Sequence, residues 1–164
     1  RNASSAVISA AGMTTTRRFF QPPRSHFFLF GPCGTCKATW LRECLGDALW
    51  IDLLAPSVER ELASRPERLR QWIEGRAMPL TVVLDEVQRA PAVLSVVHQL
   101  LEERRGQLRF ALTESSARKL KRAGVDLLAH RAELWCFHPY LAAELDRSFD
   151  LDRALELGLV PGVL

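Results

Sequence analysis

The chain has 164 residues, 48% of them hydrophobic and 25% charged, with a net charge of +3. That composition suits one globular domain with enough apolar side chains for a core, and it excludes disorder as the main state. The longest apolar runs, Phe27 to Phe30 and Leu80 to Leu84, fall far below the roughly 20 residues that span a bilayer. No membrane partner is therefore expected, and the mild positive charge permits an anionic ligand without requiring nucleic acid.

Residues 1–16 read as a disordered leader, because Ala, Ser and Gly bury too little surface to offset ordering entropy. Arg1 at the start, and an end at Pro161-Gly162-Val163-Leu164 without a polar tail, suggest a piece of a longer product, with Met13 a candidate natural start. The first acidic residue is Glu43, a bias shared with organelle transit peptides, although an unstructured leader explains it more simply. Arg17 to Pro23 forms an irregular arm, since Pro22 and Pro23 forbid a regular helix.

Five apolar segments bounded by turn signals follow as candidate strands: His26 to Phe30, Ala48 to Leu53, Leu80 to Leu84, Leu108 to Leu112 and Leu134 to Phe137. Several are continuously apolar, as a strand buried on both faces requires, which favours a mostly parallel sheet. Helical stripes lie between them. Val93, Val96, Val97, Leu100 and Leu101 repeat at i, i+3, i+4, i+7 and i+8, with Pro91 near the start and Gly106 past the end. Leu69, Trp72 and Ile73 form a second stripe between Pro66 and Gly75, and Trp40, Leu41, Cys44 and Leu45 a third, closed by Gly46. Strands alternating with helices predict right-handed βαβ units in a three-layer α/β domain, with ligands at the carboxyl ends of the strands.

Cys33, Cys36, Cys44 and Cys136 are too sparse for a disulfide framework, so a reducing, cytoplasmic setting is expected. The first candidate strand runs into Gly31-Pro32-Cys33-Gly34-Thr35-Cys36-Lys37-Ala38 and then a helix. A phosphate-binding loop has the form G-x-x-x-x-G-K-[ST], in which backbone N–H groups surround the phosphates, Lys neutralises them, the hydroxyl binds Mg²⁺ and the helix N-terminus adds its dipole. Gly31 and Lys37 match. Cys36 stands where the second glycine belongs and Ala38 where the hydroxyl belongs. A side chain at 36 crowds the phosphate approach and disfavours positive φ. Ala38 offers Mg²⁺ no oxygen, and Thr39 lies about 100° further round the helix. Weakened nucleotide binding and poor metal positioning are expected, and a merely structural strand-to-helix turn is the bland alternative.

The third candidate strand ends in Asp85-Glu86, the arrangement by which an NTPase holds Mg²⁺ with Asp and polarises the attacking water with Glu. Two acids at a strand end are otherwise explained by access to solvent. The fourth strand ends at Thr113-Glu114-Ser115-Ser116, which sets Thr113 at the same sheet edge for contact with the γ-phosphate or water.

Phe28-Leu29-Phe30-Gly31-Pro32, Leu84-Asp85-Glu86-Val87-Gln88-Arg89-Ala90-Pro91, Ser115-Ser116-Ala117-Arg118-Lys119-Leu120-Lys121-Arg122 and Gly124-Val125-Asp126-Leu127-Leu128-Ala129-His130-Arg131-Ala132 together resemble prokaryotic AAA-type ATP-binding proteins. The resemblance spans roughly residues 17–164, read as one nucleotide-binding domain, and leaves out the family's usual separate C-terminal domain. It implies a P-loop ATPase fold with sheet order 5-1-4-3-2, ATP and Mg²⁺ as ligands, and hydrolysis to ADP and phosphate. Phosphate binding falls to Gly31, Gly34, Thr35 and Lys37 within a loop that also holds Pro32, Cys36, Ala38 and Thr39, magnesium to Asp85, and water activation to Glu86. Where the family typically has Thr-Gly-Ser-Ser after its fourth strand, Glu114 replaces the glycine, and its charge is expected to repel the γ-phosphate. Where the family tends to have Gly-Arg, this chain has His130-Arg131. Arg131 is a candidate to stabilise the transferred phosphoryl group, in cis or from a neighbouring subunit of a homo-oligomer, and a surface ion pair is its bland alternative. Cys36, Ala38, Glu114 and His130 all fall at nucleotide-touching positions, so impaired hydrolysis is expected.

Two other readings remain. Cys33-Gly34-Thr35-Cys36 after a strand and before a helix resembles a thioredoxin-like oxidoreductase, in which the helix N-terminus activates Cys33, but no Trp precedes Cys33 and Asp85-Glu86 has no role there. One C-x-x-C with unpaired His26, His98, His130 and His138 is a poor zinc site. A non-hydrolysing interaction module that touches DNA is suggested by Arg118, Lys119, Lys121 and Arg122 together with Arg17, Arg18 and Arg24. No aromatic residue interleaves with that run, and a solvated helix face explains it more cheaply.

Overall fold

A computed structural model of the chain describes residues 7–8, 14–115 and 131–161. Of the expected leader, Val7–Ile8 (β1) pairs antiparallel with Thr14–Thr15 (β2). The apolar runs form Phe27–Phe30 (β3), Leu49–Asp52 (β4), Leu80–Asp85 (β5), Leu108–Glu114 (β6) and Glu133–Cys136 (β7). These five pair in parallel in the order β4-β5-β6-β3-β7. Numbered among themselves they run 2-3-4-1-5, the expected order seen from the opposite edge.

The helices are Lys37–Cys44 (α1), Pro56–Ser64 (α2), Arg68–Ile73 (α3), Val93–Glu103 (α4), Ala142–Leu145 (α5) and Leu151–Leu157 (α6). α2 was not foreseen: only Leu62 is buried on it, so its apolar stripe is too thin to read, although Pro56 stands at its first turn. The alternation of side chains along each strand sends two sets of apolar residues to the two faces of the sheet. Phe28, Phe30, Ile51, Val82, Leu84, Phe110 and Leu112 meet Val93, Val96, Val97 and Leu100 of α4 on one face. Phe27, Leu29, Val83 and Ala111 meet Trp40 and Leu41 of α1 on the other. β7 departs from the expectation of strands buried on both faces. It is an edge strand with all four residues exposed, Leu134 and Trp135 among them.

The arm before β3 is irregular yet anchored. Phe20 packs on Trp40, Trp135 and Phe137, with ring centroids 5.0, 5.1 and 6.0 Å away. Arg18 is buried with its guanidinium over the rings of Phe137 and Tyr140, 4.4 and 4.6 Å from their centroids. It donates to the carbonyls of His138 and Pro139 and lies 3.5 Å from the Glu144 carboxylate. Glu144 in turn accepts from the backbone N–H groups of Phe19 and Leu141. A polar staple thus joins the arm to α5. Removing one member of a buried ion pair leaves the other charge uncompensated, so Arg18→Ala is expected to lower stability by about 3 kcal/mol, roughly 10 °C in Tm. An unchanged melting curve by circular dichroism would show the arm to be a passive strap.

Candidate functional site

The carboxyl ends of β3, β5 and β6 lie side by side because the strands are parallel and adjacent. β3 passes into the Gly31–Thr39 loop. Gly31 N–H donates to the Glu114 carbonyl at 3.2 Å, and a Cβ at Gly31 would collide with the Phe137 carbonyl oxygen, so only glycine fits there. Gly34 has φ +85, and a Cβ there would come within 2.9 Å of Val160. Thr35 is buried and its hydroxyl donates to the Pro32 carbonyl at 2.9 Å, closing the turn from inside.

Lys37 opens α1. It is buried, and its ammonium donates to the carbonyls of Gly31 and Pro32 at 2.7 and 3.1 Å. Burial lowers its pKa, and the negative charges of Glu86 and Asp85 oppose that shift. The ammonium is thus held by the loop's own carbonyls, within electrostatic reach of Asp85 and Glu86. Cys36, just before the helix, takes φ 60 and ψ 35 without a side-chain cap. A side chain in this left-handed region is strained where glycine is not. Ala38 is half-buried and Thr39 exposed.

On β5 and β6 one hydroxyl organises the strand ends. Thr113, fully buried, donates to the Asp85 carboxylate and accepts from Glu86 N–H at 2.9 Å. Asp85 is 5% exposed, and burial pushes its carboxyl up; Asp52 and Glu86 push the same way, against the Thr113 hydrogen bond and Lys37. Glu86 is left-handed at φ 59, and its carboxylate accepts from the Gln88 amide, which also donates to the Ser115 hydroxyl at 3.1 Å. Of the three non-glycine residues at positive φ among the described residues, two, Cys36 and Glu86, belong to this one site, and the third is Asp146. Asp52 was missed from the sequence. The parallel register sets it opposite Asp85, and the readable signal was an acid one residue before the end of the second candidate strand.

Two of the candidate side chains stand apart from the Lys37 loop. Alternation along β6 places Thr113 on the α1 face with Ala111, and Glu114 on the α4 face with Leu112. Glu114 is fully buried there, so its carboxyl does not share the side of the sheet that carries Lys37. Arg131 is exposed and paired with Glu102 of α4, with Nη1 2.5 Å from His98 Nε2, so the structure does not bring it to the acids of β5. His130 and the basic run Arg118, Lys119, Lys121 and Arg122 lie outside the described residues.

The backbone cradle and the buried ammonium fit an anionic polyphosphate. Among the described residues no group of three or more His, Cys, Asp or Glu could hold a metal ion. Mg²⁺, however, keeps several waters and takes one or two carboxylates plus substrate phosphates, a demand that Asp85 with Asp52 alongside can meet without Ala38.

A family model described as an AAA domain matches residues 24–145. Two solved structures from Aeropyrum pernix share the fold. The ORC2 protein, determined as ADPNP-ADP complexes, superposes with a TM-score of 0.50 at 17% identity, over 74% of this chain and 43% of that one. The ORC1 protein in complex with DNA gives 0.50 at 15% identity, over 82% and 44%. The chain spans less than half the length of either. No curated protein matches the sequence.

Three substitutions test the buried charge and the backbone strain of the site. The folded state binds the Asp85 proton more tightly than the unfolded chain does, so ionised Asp85 detracts from stability as pH rises past about 3.9, its unfolded value. Asp85→Asn is expected to stabilise the ligand-free protein at pH 7 by on the order of 1 kcal/mol, with the gain vanishing toward pH 4. A lower Tm at pH 7 would contradict the burial argument. Cys36→Gly relieves the left-handed strain and is expected to gain about 1 kcal/mol, whereas Cys36→Ala gains none. Equal melting temperatures for the two variants would remove the strain from the account.

Proposed function

The chain belongs to the AAA domain family, and on that premise we propose that it binds ATP with Mg²⁺ through the Gly31–Thr39 loop and hydrolyses it slowly to ADP and phosphate in a cytoplasmic setting. The observation that carries this reading is the buried Lys37 ammonium, held by the loop carbonyls of Gly31 and Pro32 and within electrostatic reach of Asp85 and Glu86. Lys37 exchanges its two carbonyl partners for phosphate oxygens, and the N–H groups of Gly34 to Lys37 supply the remaining donors. Asp85 would hold Mg²⁺, which when bound would neutralise charge on the phosphates. Glu86, kept in place by Thr113 and Gln88, takes the proton of the attacking water.

Slow turnover follows from the loop. Cys36 narrows the approach to the backbone donors, and Ala38 supplies no oxygen to fix the metal, so positioning of the transferred group is looser than an intact loop gives. Association with DNA, an oligomer and a role for Arg131 form no part of the proposal, since the basic run is outside the described residues and Arg131 is engaged by α4.

Titration with a fluorescent ATP analogue, with phosphate release followed on the same samples, tests this. Lys37→Ala is expected to weaken binding by at least about tenfold. Glu86→Gln is expected to leave binding within about threefold while reducing Mg²⁺-dependent release by about a hundredfold or more. Undiminished affinity in Lys37→Ala would refute the phosphate-loop reading, and undiminished release in Glu86→Gln would refute the role of Glu86.

A further inference from the structure

Two thiols stand three residues apart in the loop just described, and the proposed hydrolysis uses neither as a reactive group. Cys33 and Cys36 are both free and exposed. The chain reverses between them: Thr35 N–H and hydroxyl both turn back to the Pro32 carbonyl, and Gly34 is left-handed at φ +85. Cys36 is itself left-handed, and its Sγ folds back to 3.8 Å from the Gly34 carbonyl oxygen. The second sulfur therefore turns back toward Gly34, the residue after Cys33.

A helix N-terminus and an ammonium lie beside the two thiols. α1 has no acidic residue in its first turn and no side-chain cap, so its N-terminal dipole is not offset where Cys36 sits. The Lys37 ammonium interacts with both sulfurs as well as with Glu86 and Asp85. A disulfide needs its Cα atoms about 4.4–6.8 Å apart, and the turn that Thr35 closes onto Pro32 shortens the path between the two cysteines.

We propose that Cys33 and Cys36 form a modification site that low-molecular-weight disulfides close to an intramolecular disulfide, and that closure blocks the phosphate loop; the second clause rests on the nucleotide reading above. In the first step one protein thiolate attacks the reagent's S–S bond, giving a mixed disulfide and releasing one small thiolate. In the second, the neighbouring thiolate attacks the protein sulfur of the mixed disulfide, forms the Cys33–Cys36 bond and releases the second small thiolate. The protein dithiol loses two electrons and two protons, and the reagent gains them as two thiols. The closed ring fixes Gly34 and Thr35, whose backbone must rearrange around a phosphate, and holds both sulfurs over its approach.

The test uses the full chain with Cys44→Ser and Cys136→Ser, leaving only the loop thiols. It is incubated with glutathione disulfide, and intact mass and affinity for a fluorescent ATP analogue are both read. The expected result is the mass of the closed disulfide, affinity at least about tenfold weaker, full recovery with dithiothreitol, and, when Cys33→Ser is added, no closed disulfide, the reaction of the remaining Cys36 ending at its glutathione adduct. Thiols left free, or a reaction that stops at the glutathione adduct, would overturn the site. A closed disulfide with unchanged affinity would overturn the block. Should the reduced chain bind no nucleotide, the phosphate-loop reading and the block fall together, while the mass alone still decides whether the dithiol site exists.

Discussion

The hydroxyl of Thr113 ties together the acidic half of the site. It donates to the Asp85 carboxylate and accepts from Glu86 N–H, fastening the end of β5 to the end of β6. Parallel pairing in register makes this possible, because Leu84 lies opposite Leu112 and the next residues of the two strands are then neighbours. Without that bond the buried Asp85 would lose a hydrogen bond that opposes its burial penalty, and Glu86 would lose the anchor of its left-handed backbone. Both losses fall on groups with little access to water, where an unmade hydrogen bond is expensive.

Facing this pair is a loop under a different constraint. Its amino end is fixed by Gly31, whose N–H reaches the Glu114 carbonyl and whose missing side chain makes room for the Phe137 carbonyl. Its carboxyl end is fixed by Lys37, which folds back onto the carbonyls of Gly31 and Pro32. Between them Cys36 occupies a conformation that suits glycine. The fold tolerates the strain because α1 is held by Trp40 and Leu41 in the core of that face. A damaged loop is thus kept in shape by packing that the damage does not reach.

The strands and their order were legible because buried parallel strands leave continuous apolar runs, and because the resemblance supplied a topology that composition alone does not. The strand-end positions of Asp85, Glu86 and Thr113 were legible for the same reason. What escaped depended on partners far apart in sequence. Arg18 reads as one more charge in a basic arm, and only the fold brings Glu144, Phe137 and Tyr140 around it. Asp52 gains meaning from the register that places it beside Asp85. The side of the sheet that Glu114 takes follows from the parity of β6, which a strand expected to end at Leu112 did not define. Arg131 was weighed as a catalytic group or a surface pair, and its contacts with Glu102 and His98 depend on where α4 lies.

The central claim is that the Gly31–Lys37 backbone receives a nucleotide's phosphates. Hydrogen exchange of the full chain, with and without ATP and Mg²⁺, tests it most directly, since it reads the amides themselves. The account predicts slowed exchange at Gly34 to Lys37 and at the Thr113-bonded amide of Glu86, with the far ends of the strands unaffected. Unchanged exchange across the loop at saturating ATP, or protection confined to another part of the chain, would contradict it.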